Sequence, residues 1–274
     1  MFSKLYNEAL ITFTMETMSP LFIKASEDST LDPTAADNTY MAFYKDGKQV
    51  PVIPGTSIKG VFRSSAEELI RALGLEPCNV LERPCGRKIG EKLGKEDKKD
   101  VKKIYSHCCP ICKLFGTTTL KSRVYFFDAY VEEGDYKIGK RTSVGIDRVT
   151  GASKRGALFD FEYVEYGKFK TQIKLKNFFG WQLKLLFDLF DRVNDGRITF
   201  GGLTSKGFGK MKIDDVNLEI RYYNKSTEPQ GYIEKDYYRT KEIKGLEKIK
   251  ELLGSIEIDE NTIRRCELED EQAL

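Results

Sequence analysis

Alternation of apolar and polar residues predicts four strands along this chain. The stretch EALITFTMETM, residues 8–18, partly alternates and is typical of a strand. The stretch at 122–133 is rich in aromatic and β-branched residues, which favour strands. Further strands are predicted at 168–177 and 211–224, and a short hairpin is predicted around Asp46-Gly47.

Helical spacing of apolar residues predicts two long helices. In the first, apolar side chains recur every three or four positions over 58–73. Its N-cap is Thr56 or Ser57, because a hydroxyl there satisfies free backbone amides. Gly74 marks its C-terminal end. The second amphipathic helix covers 180–196 and ends in a turn.

The order of these elements predicts the fold class. Strand, helix, strand, strand, helix, strand is the order of an RRM-like (ferredoxin-like) α+β fold. Two long inserts, 75–121 and 134–167, interrupt it. Long connections in compact domains are usually functional, so we expect function to reside there. The stretch at 241–254 predicts a surface helix without a chemical signal.

Composition indicates a globular protein. Of 274 residues, 40% are hydrophobic and 32% are charged. No run of about 18 apolar residues is present and no signal peptide is visible, so we expect a cytoplasmic protein outside membranes. The net charge of +3 permits a local basic surface offset by acidic segments. A single histidine, His107, excludes a ribonuclease that uses two histidines as acid and base within one chain.

Clustered cysteines indicate a metal site. Four of the six cysteines lie between Cys85 and Cys112, and Cys109 and Cys112 form a C-x-x-C knuckle. In a reducing compartment this clustering favours structural zinc over disulfides, with a metal-free cluster or a redox motif as alternatives. Four residues can supply the two remaining ligands, and the first two are favoured: Cys85, His107, Cys78 and Cys108.

The start of the first helix is a candidate anion site. Thr56, Ser57 and Lys59 stand at or near a helix N-terminus, where free amides and the helix dipole favour an anion. Gly60 removes bulk where another backbone could approach. The alternative is a capped helix with Lys59 in solvent.

A glycine-rich loop, GGLTSKGFGKM at 201–211, is a second candidate. It precedes a strand, so it is neither a Walker loop nor a Rossmann fingerprint, since both open a helix. Its glycines, with Ser205, Lys206 and Lys210, can bring amides and cations against phosphate, although a flexible turn is the alternative. In an RRM-like fold the two stretches can be neighbours and form one phosphate-binding surface.

An acidic loop precedes the hairpin. It holds four carboxylates: Glu27, Asp28, Asp32 and Asp37. Acidic side chains in a loop are usually turn formers. They can also bind a divalent ion or take a proton from a ribose hydroxyl.

Four motifs in this order resemble the RAMP superfamily of CRISPR-associated proteins: IPGTSIKG, CPICKLFG, VGIDRVTGASKRGALFDFEYVEYG and GGLTSKGFGKM. The resemblance is to the repeated backbone subunit of type III (Csm-like) effector complexes and covers about residues 10–218. It implies a single RAMP domain over 1–274 with an RRM-like palm. It also implies a zinc-bearing lid at about 75–121, a thumb hairpin at about 134–167 and a C-terminal extension at 224–274.

The resemblance also implies partners and cofactors. Such subunits form a filament of copies or related subunits along the CRISPR guide RNA, beside other type III effector subunits. Many cut the paired, complementary target RNA with Mg²⁺ or another divalent metal. Zinc in the lid is structural.

Carried over motif by motif, the resemblance implies RNA-binding residues. The helix start that contacts guide phosphates matches Ser57, Lys59 and Gly60, with Arg63 one turn on. The thumb segment matches IDRVTG, which contains Arg148. The glycine-rich loop matches these residues: Gly201, Gly202, Lys206, Gly207 and Gly209.

The catalytic aspartate implied by the resemblance is Asp37, in AADNTY. It would activate the ribose 2′-hydroxyl or hold the metal while the thumb pushes a base pair apart. The chain has Lys24-Ala25 where the family usually has a Gly-Gly pair, so Asp32 and Asp28 remain alternatives.

Three hypotheses follow. The first is a guide-binding backbone subunit that is also a metal-dependent endoribonuclease in the assembled complex. The second is a non-catalytic RNA-binding scaffold. The third, a guide-processing endonuclease, would need His107, which is assigned here to zinc.

Overall fold

An antiparallel sheet organises the chain. The computed structural model describes residues 4–25, 38–45, 47–94, 96–223 and 231–266. Nine strands share one sheet in these ranges: β1 (Asn7–Thr17), β2 (Ala42–Lys45), β3 (Lys48–Ile53), β4 (Val124–Phe126), β5 (Ala129–Ile146), β6 (Ser153–Lys176), β7 (Met211–Tyr222), β8 (Ile233–Glu234) and β9 (Arg239–Lys244). Their order is β2-β3-β5-β6-β1-β7-β9-β8, and β4 also pairs with β6.

Seven α-helices accompany the sheet in the same ranges: α1 (Gly55–Ala72), α2 (Cys85–Lys92), α3 (Val101–Ser106), α4 (Pro110–Phe115), α5 (Gly180–Asn194), α6 (Leu246–Leu253) and α7 (Glu260–Arg264). Both long helices predicted from the sequence are confirmed as α1 and α5. None of the helices in the described ranges is long and apolar enough to cross a membrane.

The hydrophobic core lies between the sheet and the two long helices. Alternate residues of β1 are buried, among them Phe13, as the alternating sequence pattern predicts. The Phe13 ring centroid lies 4.8 Å from that of Phe190 in α5. Phe62 of α1 also contacts Phe190, at 5.9 Å. These aromatic contacts pack α1, α5 and β1 against one another.

The start of α1 differs from the prediction. Its N-cap is Pro54, whose carbonyl accepts a hydrogen bond from the Ser57 amide at 2.9 Å. Thr56 and Ser57 lie inside the helix, so the predicted hydroxyl N-cap is wrong. A carboxylate from elsewhere takes its place, because the Gly55 amide donates to Asp128 Oδ1 at 2.7 Å.

The predicted end of α1 is confirmed. Gly74 has φ +78°, a conformation that glycine adopts readily. Its amide donates to the Arg71 carbonyl, and the Leu75 amide donates to the Ile70 carbonyl, both at 3.0 Å. This pair of bonds is the Schellman motif that closes many helices.

Each long insert has its own structure. The insert at 75–121 contains α2, α3 and α4. In the other, β5 and β6 pair antiparallel as a long ribbon, and their paired residues include Tyr136 with Gly167 and Ile146 with Ser153. At the turn of the ribbon, Asp147 Oδ1 accepts hydrogen bonds from the Val149 and Thr150 amides, at 2.8 and 3.0 Å.

The C-terminal part of the chain corrects one prediction. The stretch at 241–254 is not a continuous helix, because residues up to Lys244 belong to β9, which pairs with β7. Pairing with the edge of β7 gives the backbone there its hydrogen-bond partners. Gly245, with φ +96°, separates the strand from α6.

Candidate functional site

Four cysteine sulfurs lie together in the insert between α1 and β4. The Sγ atoms of Cys78, Cys85, Cys109 and Cys112 all lie within 4.8 Å of one another. Those of Cys78 and Cys112 are 3.6 Å apart. A tetrahedron with metal–sulfur distances of about 2.3 Å has edges of about 3.8 Å. The cluster therefore fits a tetrahedral ion with four sulfur ligands, and zinc is the metal typical of such a site.

Hydrogen bonds favour a thiolate at Cys85 in particular. The Cys109 amide donates to Cys85 Sγ at 3.3 Å, and the Cys112 amide donates to Cys109 Sγ at 3.5 Å. Neighbouring thiols, Cys108 foremost, hold the pKa of Cys85 far below its usual range, whereas the hydrogen bond with Cys109 raises the pKa of Cys112. Ionised sulfurs this close repel one another, so a bound cation is needed before all four can be thiolates.

His107 is not part of the cluster. Its side chain is exposed, and its Nδ1 lies 2.8 Å from the Lys103 carbonyl oxygen. The residue caps the C-terminus of α3, so the ring folds back on its own last turn. The structure therefore brings the three predicted cysteine ligands together but places Cys78, one of the alternatives, where His107 was expected.

The first turns of α1 present a cation in a partly desolvated position. Lys59 is half-buried, and its Nζ lies 3.4 Å from Ser122 Oγ. Burial, and then the charge of Arg63, lower the pKa of Lys59. Ser57 is half-buried beside it, and Gly60 is exposed with no atom within 4 Å of a would-be Cβ. A desolvated cation next to a second cation gains from an anionic ligand.

Arg63 is held by three partners. Its Nε lies 3.3 Å from Glu67 Oε1, and its Nη1 donates to the Gly116 carbonyl at 3.3 Å. Its Nη2 lies 3.6 Å from Cys112 Sγ. The residue predicted to bind RNA thus also connects α1 with the cysteine cluster, a contact between distant residues that no sequence spacing indicates.

The backbone of the glycine-rich loop is bonded within the protein. The Gly202 amide donates to the Phe22 carbonyl at 2.7 Å, and the Gly209 amide donates to the Pro20 carbonyl at 2.8 Å. The Gly207 amide donates at 3.1 Å within the loop. These three amides therefore stabilise the loop itself, and the exposed side chains of Ser205, Lys206 and Lys210 are the groups of the loop that can contact an anion.

Two of these glycines are required by close contacts. A Cβ at Gly201 would overlap the Phe22 carbonyl oxygen, and one at Gly209 would overlap the carbonyl oxygen of Phe200. Both have positive φ, +77° and +83°. Only glycine combines this conformation with so little space.

Aromatic side chains fix the loop to the base of the β5–β6 ribbon. The ring centroid of Phe208 lies 6.1 Å from Phe161 and 5.5 Å from Tyr163. Phe22 packs on Phe161 at 5.5 Å, and the Arg141 guanidinium lies over Tyr163 and Phe208 at 5.1 and 5.4 Å. This cluster was not predictable from the sequence, whose one local signal for it is an aromatic residue inside a run of glycines.

The two glycine-bearing stretches meet through an aromatic contact. The ring centroid of Phe62, in α1, lies 6.3 Å from that of Phe200, which directly precedes the loop. This contact places the helix that carries Lys59 against the start of the loop that carries Lys206. Arg148 is exposed at the turn of the ribbon.

The candidate catalytic residues lie outside the described residues: Asp28, Asp32 and Asp37. The described residues on either side are well anchored. The Ala25 amide donates to the Thr39 carbonyl at 3.0 Å. The Asn38 amide donates to the Asp160 carbonyl at 3.2 Å, and the Glu162 amide donates to the Asn38 carbonyl at 2.9 Å. The residue after Asp37 is therefore tied to β6 at the base of the ribbon.

The sheet face opposite α1 and α5 carries ion pairs. Each of four lysines on β6 pairs with a glutamate, as follows: Lys168 with Glu16, Lys170 with Glu132, and Lys174 and Lys176 with Glu8. RRM domains that bind RNA on this face stack bases on aromatic side chains of the central strands. Lysine–glutamate pairs occupy the central strands here instead.

Comparison with known proteins agrees with these motifs. The family model described as the RAMP superfamily matches residues 14–212. The CRISPR system Cms endoribonuclease Csm3 of Methanocaldococcus jannaschii is 26% identical over 227 residues, which cover 75% of this chain and 77% of that protein. The resemblance inferred from the four motifs is confirmed, and the chain belongs to the RAMP superfamily.

Proposed function

We propose that this chain is a guide-RNA-binding backbone subunit of a type III CRISPR effector complex and that it cleaves complementary target RNA. The family match over 14–212 carries the proposal, and the similarity to an endoribonuclease of a CRISPR system supports the cleavage. Its partners would be guide RNA, target RNA, further RAMP subunits and the other subunits of the effector.

In this proposal the palm is RRM-like. The four central strands lie side by side in the order β5-β6-β1-β7. Along the chain, α1 lies between β1 and β5, and α5 lies between β6 and β7. Both orders support that assignment. The paired β5–β6 ribbon would be the thumb, and the insert with the cysteine cluster would be the lid.

Guide RNA would bind across the start of α1 and the glycine-rich loop. Lys59, Arg63 and Lys206 supply the positive charge, and Gly60 leaves room for a nucleic-acid backbone. Contacts to phosphate position RNA without reading its sequence, as a subunit that accepts many guides requires.

Zinc in the cluster would be structural. Cys78, Cys85, Cys109 and Cys112 would hold it, and the bound ion would stabilise the lid by joining its cysteines in one closed tetrahedral site. The four sulfur ligands leave no open coordination position for a reacting water.

Cleavage would depend on Asp37. In-line attack of a ribose 2′-hydroxyl on the adjacent phosphate forms a cyclic phosphate and breaks the bond to the 5′-oxygen of the next nucleotide. The hydroxyl proton must be removed, the leaving 5′-oxygen must take up a proton from solvent, and the RNA must leave A-form geometry. Asn38, the next residue along the sequence, is bonded to β6 at the base of the ribbon. A divalent metal such as Mg²⁺ would neutralise the developing charge on the phosphate.

The test is target RNA cleavage by the complex assembled on guide RNA with Mg²⁺. Asp37→Ala should lower the cleavage rate by about 100-fold or more, the usual contribution of an acid–base group, while guide binding is retained. Asp32→Ala, in the same loop, should cleave normally. A 2′-deoxy substitution at the cut site should block cleavage by the wild type, because the nucleophile is removed.

Two results would contradict this assignment. Loss of cleavage in Asp32→Ala with normal cleavage in Asp37→Ala would move the catalytic role to Asp32. Guide binding without any cleavage by the wild-type complex would leave the scaffold role alone.

A further inference from the structure

The segment that follows the cysteine knuckle holds both cations at the start of α1. Arg63 contacts Cys112 Sγ and the Gly116 carbonyl, and Lys59 contacts Ser122 Oγ. Three partners of these two cations thus come from one stretch of eleven residues, 112–122.

This stretch is itself tightly constrained. The Gly116 amide donates to the Cys112 carbonyl at 3.0 Å, and Gly116 has φ +83°. A Cβ on Gly116 would lie 2.7 Å from the Ser122 amide nitrogen. Ser122 Oγ donates to the Val124 carbonyl at 2.7 Å. A shift of Cys112 would therefore be transmitted to Gly116 and Ser122, and through them to the cations of α1.

Charge also links the two sites. A zinc ion with four thiolates carries a net charge of −2, and a guanidinium in hydrogen-bonding contact with one sulfur offsets part of it. Mutation of a residue that hydrogen-bonds to a metal ligand typically lowers metal affinity or activity by 10–100-fold.

We propose that the cysteine cluster positions the guide-binding start of α1 through the Arg63–Cys112 contact, so that zinc and RNA stabilise each other's binding. This linkage rests on the proposed function, since it needs both zinc and RNA as ligands. Coupling between two binding sites is reciprocal, so RNA must slow the loss of zinc if zinc strengthens the binding of RNA.

The helix offers a matched control. Arg71 lies two turns beyond Arg63 and shares its partner Glu67, with Arg71 Nη2 4.0 Å from Glu67 Oε2. None of the contacts described for Arg71 reaches the cysteine cluster. Arg63→Gln and Arg71→Gln remove the same charge from the same helix, but only the first removes the contact with sulfur.

The experiment measures zinc release from the folded, zinc-loaded full chain to a chromogenic chelator, with and without single-stranded RNA of mixed sequence. We expect RNA to slow release by about 5-fold or more in the wild type and in Arg71→Gln, the lower end of typical coupling. In Arg63→Gln the release rate should be faster and unaffected by RNA, at RNA concentrations that saturate the variant.

The outcomes separate this inference from the proposed function. Equal slowing by RNA in Arg63→Gln and the wild type would overturn the linkage while leaving zinc and RNA binding intact. A chain that binds no zinc, or no RNA, would overturn the proposed function and the linkage together. Arg63→Lys keeps the positive charge but loses the planar set of N–H donors of the guanidinium. RNA is expected to slow zinc release only partly in this variant.

Discussion

Gly60 allows stability and RNA binding to be separated at a single residue. It is exposed in the interior of α1, and a Cβ there would meet no atom within 4 Å. Gly60→Ala should therefore raise the free energy of unfolding by about 0.5–1 kcal/mol, because alanine is the better helix former. The same methyl group should weaken RNA binding several-fold if the guide backbone approaches the helix there.

Denaturant unfolding and RNA titration of the same preparation check both parts. Ser64→Ala, an exposed change one turn further along α1, is the control and should leave RNA affinity unchanged. A stabilised Gly60→Ala protein with wild-type RNA affinity would place the RNA elsewhere.

The cations at the proposed interface should act independently of RNA sequence. Lys59→Ala and Lys206→Ala should each weaken RNA binding, and each should reduce the slope of log affinity against log salt by about one unit or less. The measurement is a salt titration of binding with two unrelated RNAs. Lys170→Ala, on the opposite sheet face and paired with Glu132 at 2.7 Å, should change neither quantity. A loss confined to one of the RNAs would argue against phosphate contacts.

For single residues, the sequence indicates which residues are candidates for function better than it indicates which residues contact one another. It identified the cysteines, Lys59 and the glycines, because these residue types carry recognisable chemistry. It did not indicate that Arg63 contacts Cys112 or that Phe208 packs on Phe161, since these contacts join residues 49 or 47 positions apart. It favoured His107 as a ligand because a histidine next to cysteines usually binds metal, whereas here the C-terminus of α3 turns the ring away.

Among the elements, the insert that carries the cysteine cluster is where the proposed zinc should affect stability. Purified protein should contain about one zinc ion per chain. Cys78→Ser should lower both zinc content and thermal stability, because a structural site contributes its binding energy to folding. His107→Ala should retain zinc, since its ring bonds only within α3 and its cap. Metal analysis and thermal unfolding of the two variants decide between Cys78 and His107 as the fourth ligand.

Helices with apolar faces were the most predictable elements. The end of α1 was also predictable, because Gly74 supplies a conformation that other residues avoid. The start of α1 was not, since its first amide is capped by Asp128, 73 residues away. The lysine-rich stretch before Gly245 has a helical composition but becomes β9, because pairing with β7 outweighs local preference.

For the whole molecule, the order of elements and four short motifs were sufficient to predict the family. The pairing of β1 with β6 and β7 follows from that order. The open sheet face was not predictable in the same way, because its lysine–glutamate pairs join strands that are far apart in sequence. Because ion pairs occupy this face, the proposed RNA path follows the helix side of the molecule.

The central place of β1 in the sheet has a consequence for how the chain is made. Strand β1 leaves the ribosome well before its partner strands β6 and β7, since Glu8 pairs with Lys176 and Asn7 pairs with Tyr222. Its apolar face must therefore wait, without its partner strands, until most of the chain has been synthesised. Exposed strand edges and apolar surface promote aggregation during such a delay. Slow translation or a shortage of chaperones should thus reduce the yield of soluble chain more than the stability of the finished sheet would suggest.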